Sequence, residues 1–202
     1  MPKESAPSAT PLQQQLQFLL EVDRLKQVLR RSVTGEPSRR ENSAEHSWHV
    51  ALMAVVLAEH AAASIDLLRV VKMLLIHDIV EVDAGDTFIY DSASKLQQHE
   101  RELLAAERIF PLLPAAAAGE LHGLWLEFEA AESAEARFAK ALDRLQPILL
   151  NWQSGGAGWR KHRITAAQVA EINRPIATGA PGLWHTVTTI IEDALGSGAL
   201  TS

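Results

Sequence analysis

The sequence predicts an all-α protein folded as a single domain, and three observations carry that expectation. Ala, Leu, Glu and Arg are frequent while tyrosine occurs once, a balance that favours helix over strand. Apolar residues recur at three- and four-residue spacing along most of the chain. No stretch reads as a strand, and neither an internal repeat nor a domain linker interrupts the pattern. With 202 residues, 47% of them hydrophobic, the chain is long enough to bury one substantial core.

In chain order, Met1 to Thr10 is rich in Pro, Ser and Ala and reads as a disordered tail, 1–10, which leaves 11–200 for the folded domain. A first helix is expected from about Pro11 to Arg31, with Leu12, Leu16, Leu19, Leu20, Val22, Leu25, Val28 and Leu29 on its apolar side. Gly35 and Pro37, together with Arg39 and Arg40, mark 32–41 as a basic loop. Asn42 and Glu45 have the spacing of a capping box and open a second helix. His46, His49, Met53, Val56 and His60 follow on it at helical spacing. A third helix, about Ile65 to Val82, carries Leu67, Val70, Val71, Leu74, His77, Asp78 and Glu81 as one stripe that begins oily and ends polar.

After a loop containing Phe88 and Tyr90, a fourth helix is expected over about Ser94 to Phe110. Pro111 and Pro114 break the chain before a fifth helix, about Ala116 to Ala131. A sixth begins near Ser133 with Phe138, Ala141, Leu142, Leu145 and Leu149 on its core face. Pro147 lies inside that pattern and cannot donate to the carbonyl of Asp143, which predicts a kink. Asn151 to Arg160, with three glycines and two tryptophans, reads as a loop. Thr165 and Gln168 cap a short helix, and Pro181 opens a final one that ends near Gly196.

Composition also narrows function. A net charge of −6 argues against binding a nucleic acid polymer, whose phosphates call for a basic surface. The chain has no cysteine, hence neither disulfides nor a thiolate metal site, which fits a reducing compartment. The longest apolar run, Val50 to Ala58, is too short to span a bilayer, and the N-terminal residues lack the apolar core of a signal peptide. These features lead to the expectation of a cytoplasmic protein that does not engage membranes.

The chemistry concentrates in residues 74–87. An apolar run leads into His77 and Asp78, adjacent residues that can both ligate a metal, and Glu81 follows one turn later on the same helical face. Gly85 permits a backbone conformation other residues avoid, and Asp86 comes next. A histidine and a carboxylate at the end of a buried helix are costly without a partner, and a divalent cation suits both. His46 on the second helix and Asp143 on the sixth complete a set of two imidazoles and two carboxylates. That set suits one divalent ion among Mn, Co, Fe, Ni, Zn or Mg, with positions left for water. Taken singly, each of these residues also fits a structural role, as do His49, His60 and His185; His49 lies close enough to His46 to support it from behind.

The order and wording of these pieces resemble the HD-domain metal-dependent phosphohydrolases, and within them the five-prime deoxynucleotidase-like branch. The resemblance covers nearly the whole chain after the tail. It rests on Arg24-Leu25-Lys26, Arg30, Arg39-Arg40-Glu41-Asn42, Glu45-His46-Ser47, Ile76-His77-Asp78, Glu81, Gly85-Asp86 and Leu142-Asp143-Arg144. It implies an HD-domain helical bundle and a divalent metal held by His46, His77, Asp78 and Asp143. It further implies Glu81 as the proton-handling residue, Arg30 at the end of the first helix as the grip on the substrate phosphate, and Asp86 facing the sugar of a nucleotide. The pattern departs at Arg31, which stands where that branch has a tryptophan against the sugar.

The function implied is hydrolysis of the 5′-phosphate of (deoxy)nucleoside monophosphates by a metal-activated water. Two alternatives stand beside it. One is a phosphodiester or pyrophosphate hydrolase acting on a signalling nucleotide; Val82 after the glutamate and the absence of a Gly-Tyr-Pro element fit those branches less well. The other is a non-catalytic, metal-stabilised scaffold, which would not require Glu81 or the basic segment. A homodimer is expected from the family. Apolar stripes at Leu121, Leu124, Trp125 and Phe128, and at Trp184, Val187, Ile190 and Ile191, are the surfaces the sequence offers for it.

Overall fold

The computed structural model describes residues 9–34 and 39–202. Most of the expected tail, and Gly35 and Pro37 of the expected basic loop, lie outside them. The described chain is helical with one short β-ribbon. Helix α1 (Pro11–Val22) starts at Thr10, whose hydroxyl accepts the Gln13 amide in a full capping box. It ends earlier than its apolar pattern suggests. A tight 3₁₀ turn, Asp23–Gln27, follows, and then strand β1 (Leu29–Val33).

β1 pairs antiparallel with β2 (Arg40–Asn42), Leu29 opposite Asn42 and Val33 opposite Arg40, with an irregularity between. The expectation of an unbroken first helix to Arg31 and of no strands is therefore corrected. Leu25, Val28 and Leu29 sit at helical spacing, but the ladder that holds Leu29 to Val33 is made with residues about ten positions away, which local periodicity does not register. Arg30 thus stands on a strand, not at a helix end. The bulged register helps turn its side chain inward, to 13% exposure, while Arg31 stays exposed.

Helix α2 (Ser43–Leu57) opens on the expected box: Asn42 accepts the Glu45 amide and Glu45 accepts the Asn42 amide. Its buried side holds His46, Val50, Met53 and Ala54, whereas Val56 faces solvent. Helix α3 (Leu67–Ile76) stops five residues short of the stripe's end. The chain then runs through His77–Val80 on bonds to the third residue back, Ile79 to Ile76 and Glu81 to Asp78, before the single turn α4 (Glu81–Ala84). Three residues per turn place Asp78 and Glu81 nearly in line, so the expected common face survives the change of helix type.

Helix α5 (Ser92–Ile109) and α6 (Ala115–Ala130) follow closely as expected. Arg108 near the end of α5 bonds Asp83 of α4 and Glu21 of α1, pinning the turn that carries Glu81. Helix α7 (Ala134–Gln153) runs through Pro147 and beyond the expected loop start; Asn151 Nδ2 donates to the Pro147 carbonyl. The expected loop 151–160 shrinks to Ser154–Gly156, because α8 (Ala157–His162) forms to bury Trp159. Then come α9 (Ala166–Ile172), on its Thr165–Gln168 box, α10 (Pro175–Gly179) and α11 (Pro181–Gly196).

The core lies where α2, α3, α6 and α7 meet, around Val50, Met73, Leu74, Trp125, Phe138 and Leu142. Helix α10 lies against α7 so closely that a Cβ on Gly179 would stand 2.1 Å from the Arg137 carbonyl oxygen. The stripes expected at a dimer face are part of this core: Leu124, Trp125, Phe128, Val187, Ile190 and Ile191 are buried within the single chain. Exposed apolar side chains lie instead on α1 (Leu12, Leu16, Leu19, Leu20) and α2 (Trp48, Leu52, Val55, Val56). Among the described residues, no helix is long and apolar enough to cross a membrane.

Candidate metal centre and substrate cavity

Four side chains from three parts of the chain converge beneath a cavity of about 290 Å³. His46 comes from the first turns of α2, His77 and Asp78 from the turn after α3, and Asp143 from the middle of α7. His46 Nε2 and Asp143 Oδ1 are 3.0 Å apart, His77 Nε2 and Asp143 Oδ1 3.7 Å, and His77 Nε2 and Asp78 Oδ1 3.1 Å. Ligands bound at about 2.1 Å and near right angles lie about 3 Å from one another, so this spacing is that of a coordination shell. Donor atoms of His46, His77 and Asp78 all lie within 4.8 Å of one another.

The tautomers point the same way. Gln146 Nε2 donates to Glu41 Oε1 (2.5 Å), which turns the amide oxygen of Gln146 toward His46 Nδ1 (3.2 Å). That nitrogen must then carry the proton, leaving Nε2 of a neutral ring bare and facing a carboxylate oxygen. Burial and the Arg30 charge both push the His46 pKa down, toward that neutral form. His77 repeats the arrangement: its Nδ1 lies 2.8 Å from the Leu74 carbonyl oxygen, and its buried Nε2 has no hydrogen-bond partner. Burial works against the charge on Asp143, yet the two imidazoles beside it outweigh burial and hold the carboxyl well below its ordinary range. Burial opposes a charge on His77, but Asp78 and Asp143 outweigh it and raise the pKa of that ring, so its charge is favoured at the spot a divalent cation would take. The residues fit a divalent ion.

Around this centre the cavity is lined by Arg30, Glu81 and Asp86, the other residues expected at the site. Arg30 Nη1 donates to Asp78 Oδ2 (2.9 Å) and lies 4.0 Å from Asp86 Oδ1. Its desolvation is outweighed by the charges of Asp78, Glu81, Asp143 and Asp86, which keep the guanidinium firmly protonated. Glu81, buried, accepts a 2.5 Å bond from Ser43 Oγ. Burial, and next the charge on Asp78, raise its pKa well above the carboxylate range, Arg30 opposing. Asp86 accepts the backbone amide of Arg31 (3.2 Å), fastening the turn after Gly85 to strand β1.

Arg39 and Arg40 do not line the cavity. Arg39 is bidentate to Glu45, both bonds 2.8 Å, and Arg40 binds main-chain oxygens of β1. Arg39 and Arg40 therefore build the hairpin, while Arg30 and Arg31 just before the basic segment line the cavity.

Several residues escaped sequence reasoning. Glu41, Ser43 and Gln146 are buried polar groups wired to His46 and Glu81. Gln146 had one visible signal: it lies one turn after Asp143 on the same helical face. Lys140, one turn before Asp143, bonds Glu129 (2.7 Å) and sits 3.9 Å above the Phe128 ring, facing the cavity. Its far wall is aromatic, with Phe88, Tyr90, Trp159 and His162. His49 does not touch His46 directly; its Nδ1 lies 3.3 Å from Nε2 of Gln146, whose oxygen faces His46.

The fold and the site together define an all-α domain with a buried histidine–carboxylate cluster that could hold a metal ion at a cavity. The match to a family model makes the assignment specific: residues 22–184 fit the HD domain, and the chain belongs to the HD-domain family. A crystal structure titled as a predicted metal-dependent phosphohydrolase from Magnetospirillum magnetotacticum MS-1 is 47% identical, with a TM-score of 0.91 over 95% of this chain and 96% of that one. The 5′-deoxynucleotidase HDDC2 of Homo sapiens is 38% identical over 135 residues, 66% of this chain and 65% of that protein, so the match spans just under two thirds of the relative. The PH0347 protein from Pyrococcus horikoshii OT3, at 22% identity and a TM-score of 0.63 over 88% of this chain and 98% of that one, shares the fold.

Proposed function

We propose that this protein is a divalent-metal-dependent phosphomonoesterase that removes the 5′-phosphate from nucleoside monophosphates. The observation that carries the reading is the meeting of His46, His77, Asp78 and Asp143 at the end of a cavity that also holds Arg30 and Glu81. The similarity to a curated 5′-deoxynucleotidase supports the choice of substrate class.

His46, His77, Asp78 and Asp143 would hold the ion. Bound there, it would acidify water and draw charge from the phosphoryl oxygens. The protein's own groups supply the rest. Arg30 offers a fixed guanidinium to the phosphate, whose charge of nearly −2 would otherwise meet a ring of carboxylates. Glu81, biased toward its protonated form, is placed to give a proton to the departing 5′-oxygen as the P–O bond breaks, and to recover one from the attacking water. Asp86 accepts from sugar hydroxyls, and the aromatic wall of Phe88, Tyr90 and Trp159 gives a flat base something to lie against. Arg31, at the cavity wall, stands where the five-prime deoxynucleotidase-like branch has a tryptophan against the sugar, so ribose and deoxyribose substrates are both to be compared.

The test is phosphate release from a panel of ribo- and deoxyribonucleoside monophosphates, set against para-nitrophenyl phosphate and a cyclic dinucleotide. Turnover of monophosphates that Glu81→Gln abolishes supports the reading. Turnover confined to the diester, or none with any divalent ion, contradicts it. We also propose a homodimer that covers the exposed α2 stripe of Trp48, Leu52, Val55 and Val56, in a cysteine-free protein suited to the cytoplasm. A monomeric mass by light scattering at micromolar concentration would refute the dimer.

A further inference from the structure

Glu41 is a buried carboxyl group the proposed chemistry leaves without a task; burial pushes its pKa up to about 7, with Arg30 opposing. It stands on β2 beside Arg30 of β1, with 4% of its surface exposed. One carboxylate oxygen, Oε1, is fixed by Gln146. The other, Oε2, is buried with no hydrogen-bond partner, and 3.7 Å away lies Arg30 Nε, also buried and also without one. His46 Nδ1 lies 3.8 Å from the same oxygen but is already engaged by Gln146. Arg30 Nε and Glu41 Oε2, by contrast, are both unsatisfied and face each other across a gap that a shift of under about 1 Å would close to a hydrogen bond. The same guanidinium donates through Nη1 to Asp78 Oδ2 at 2.9 Å.

We propose that Glu41 is the positioning residue of the phosphate-gripping arginine, capturing Arg30 Nε when Asp78 gives its charge to the metal. The inference rests on the reading of this site as a phosphomonoesterase. A guanidinium binds a phosphate by presenting two parallel N–H groups along one edge. With Nε held by Glu41, the edge formed by the two terminal nitrogens is the one left free, and the cavity is the space it borders. Gln146 makes the hold rigid: it ties Glu41 to α7 and, through its oxygen, to the tautomer of His46. One buried chain thereby connects the metal ligand on α2 to the phosphate grip on β1.

Glu41→Gln isolates this role, since the amide oxygen can still accept from Gln146 while its nitrogen cannot accept from Arg30. In Mn²⁺-loaded protein, titration calorimetry with inorganic phosphate should show binding weakened about tenfold, with KM for a nucleoside monophosphate raised to match and metal content unchanged. In an Arg30→Ala background the same substitution should change phosphate binding by less than about twofold, because its effect passes through the absent arginine. Unaltered phosphate binding in Glu41→Gln, or an equal penalty in both backgrounds, would overturn the proposal. Should the amide variant not fold, Glu41→Asp, which withdraws the charge by one methylene, faces the same two comparisons. A wild-type protein that binds phosphate but hydrolyses no monophosphate would overturn the proposed substrate alone, the phosphate constants still deciding what Glu41 does.

Discussion

Asp78, Glu81, Asp143 and Asp86 each favour the charge on Arg30, Glu41 lies 3.7 Å from its Nε, and Arg30 is the only cation bonded directly to a proposed metal ligand among the described residues. Losing a charged hydrogen bond to a bound phosphate costs about 2 to 5 kcal/mol. Arg30→Ala should therefore lower kcat/KM by a factor on the order of a hundred or more, with metal content intact by elemental analysis. Metal loss in that variant would assign Arg30 to the centre's structure instead. Asp86 gives a sharper reading of the substrate. Its Oδ2 already accepts the Arg31 amide, so part of its role is to hold β1, and only the part that meets a sugar distinguishes substrates. Asp86→Ala should reduce turnover of nucleotides far more than turnover of para-nitrophenyl phosphate, which has no sugar. Equal losses on the two would leave Asp86 as a fastener of the turn.

At the scale of elements, the supports of the site are a cap and a glycine. Asn42 ends β2 and caps α2, four residues before His46, and Asn42→Ala should lower stability by about 1 kcal/mol in urea unfolding. Gly85 has φ +73° and ψ 159°, a region essentially closed to side chains, yet a Cβ there would touch nothing within 4 Å. The cost of Gly85→Ala is therefore backbone strain alone, about 1 to 3 kcal/mol. KM should rise with it, because Asp86 follows directly. These features were legible because they are local: a cap, a turn glycine and a His-Asp pair each announce themselves within four residues. What was not legible depends on partners far along the chain. The β1–β2 ribbon, the early stop of α3, and the Glu41–Gln146 bond across 105 positions come from pairing and burial, not from periodicity. The apolar stripe of α6 suits either a dimer surface or a single core on sequence grounds, and the packing of α3 and α7 against it makes it core.

For the whole molecule, the site and the fold are one thermodynamic object. The four proposed ligands tie α2, the turn after α3, and α7 at the centre of the core, so an ion bound there stabilises the folded state by mass action. His46→Ala should lower both metal content and Tm, and added Mn²⁺ should raise the wild-type Tm but not that of the variant. Undiminished metal in His46→Ala would remove His46 from the centre. The central claim, that this cavity cleaves phosphomonoesters with the help of a metal held by its own histidines and carboxylates, is tested most directly by one titration. Phosphate release from a deoxynucleoside monophosphate is followed while the purified protein is stripped with chelator and then reloaded with Mn²⁺. The account predicts turnover that vanishes on stripping and returns on reloading; turnover indifferent to chelator, or absent after reloading, would contradict it.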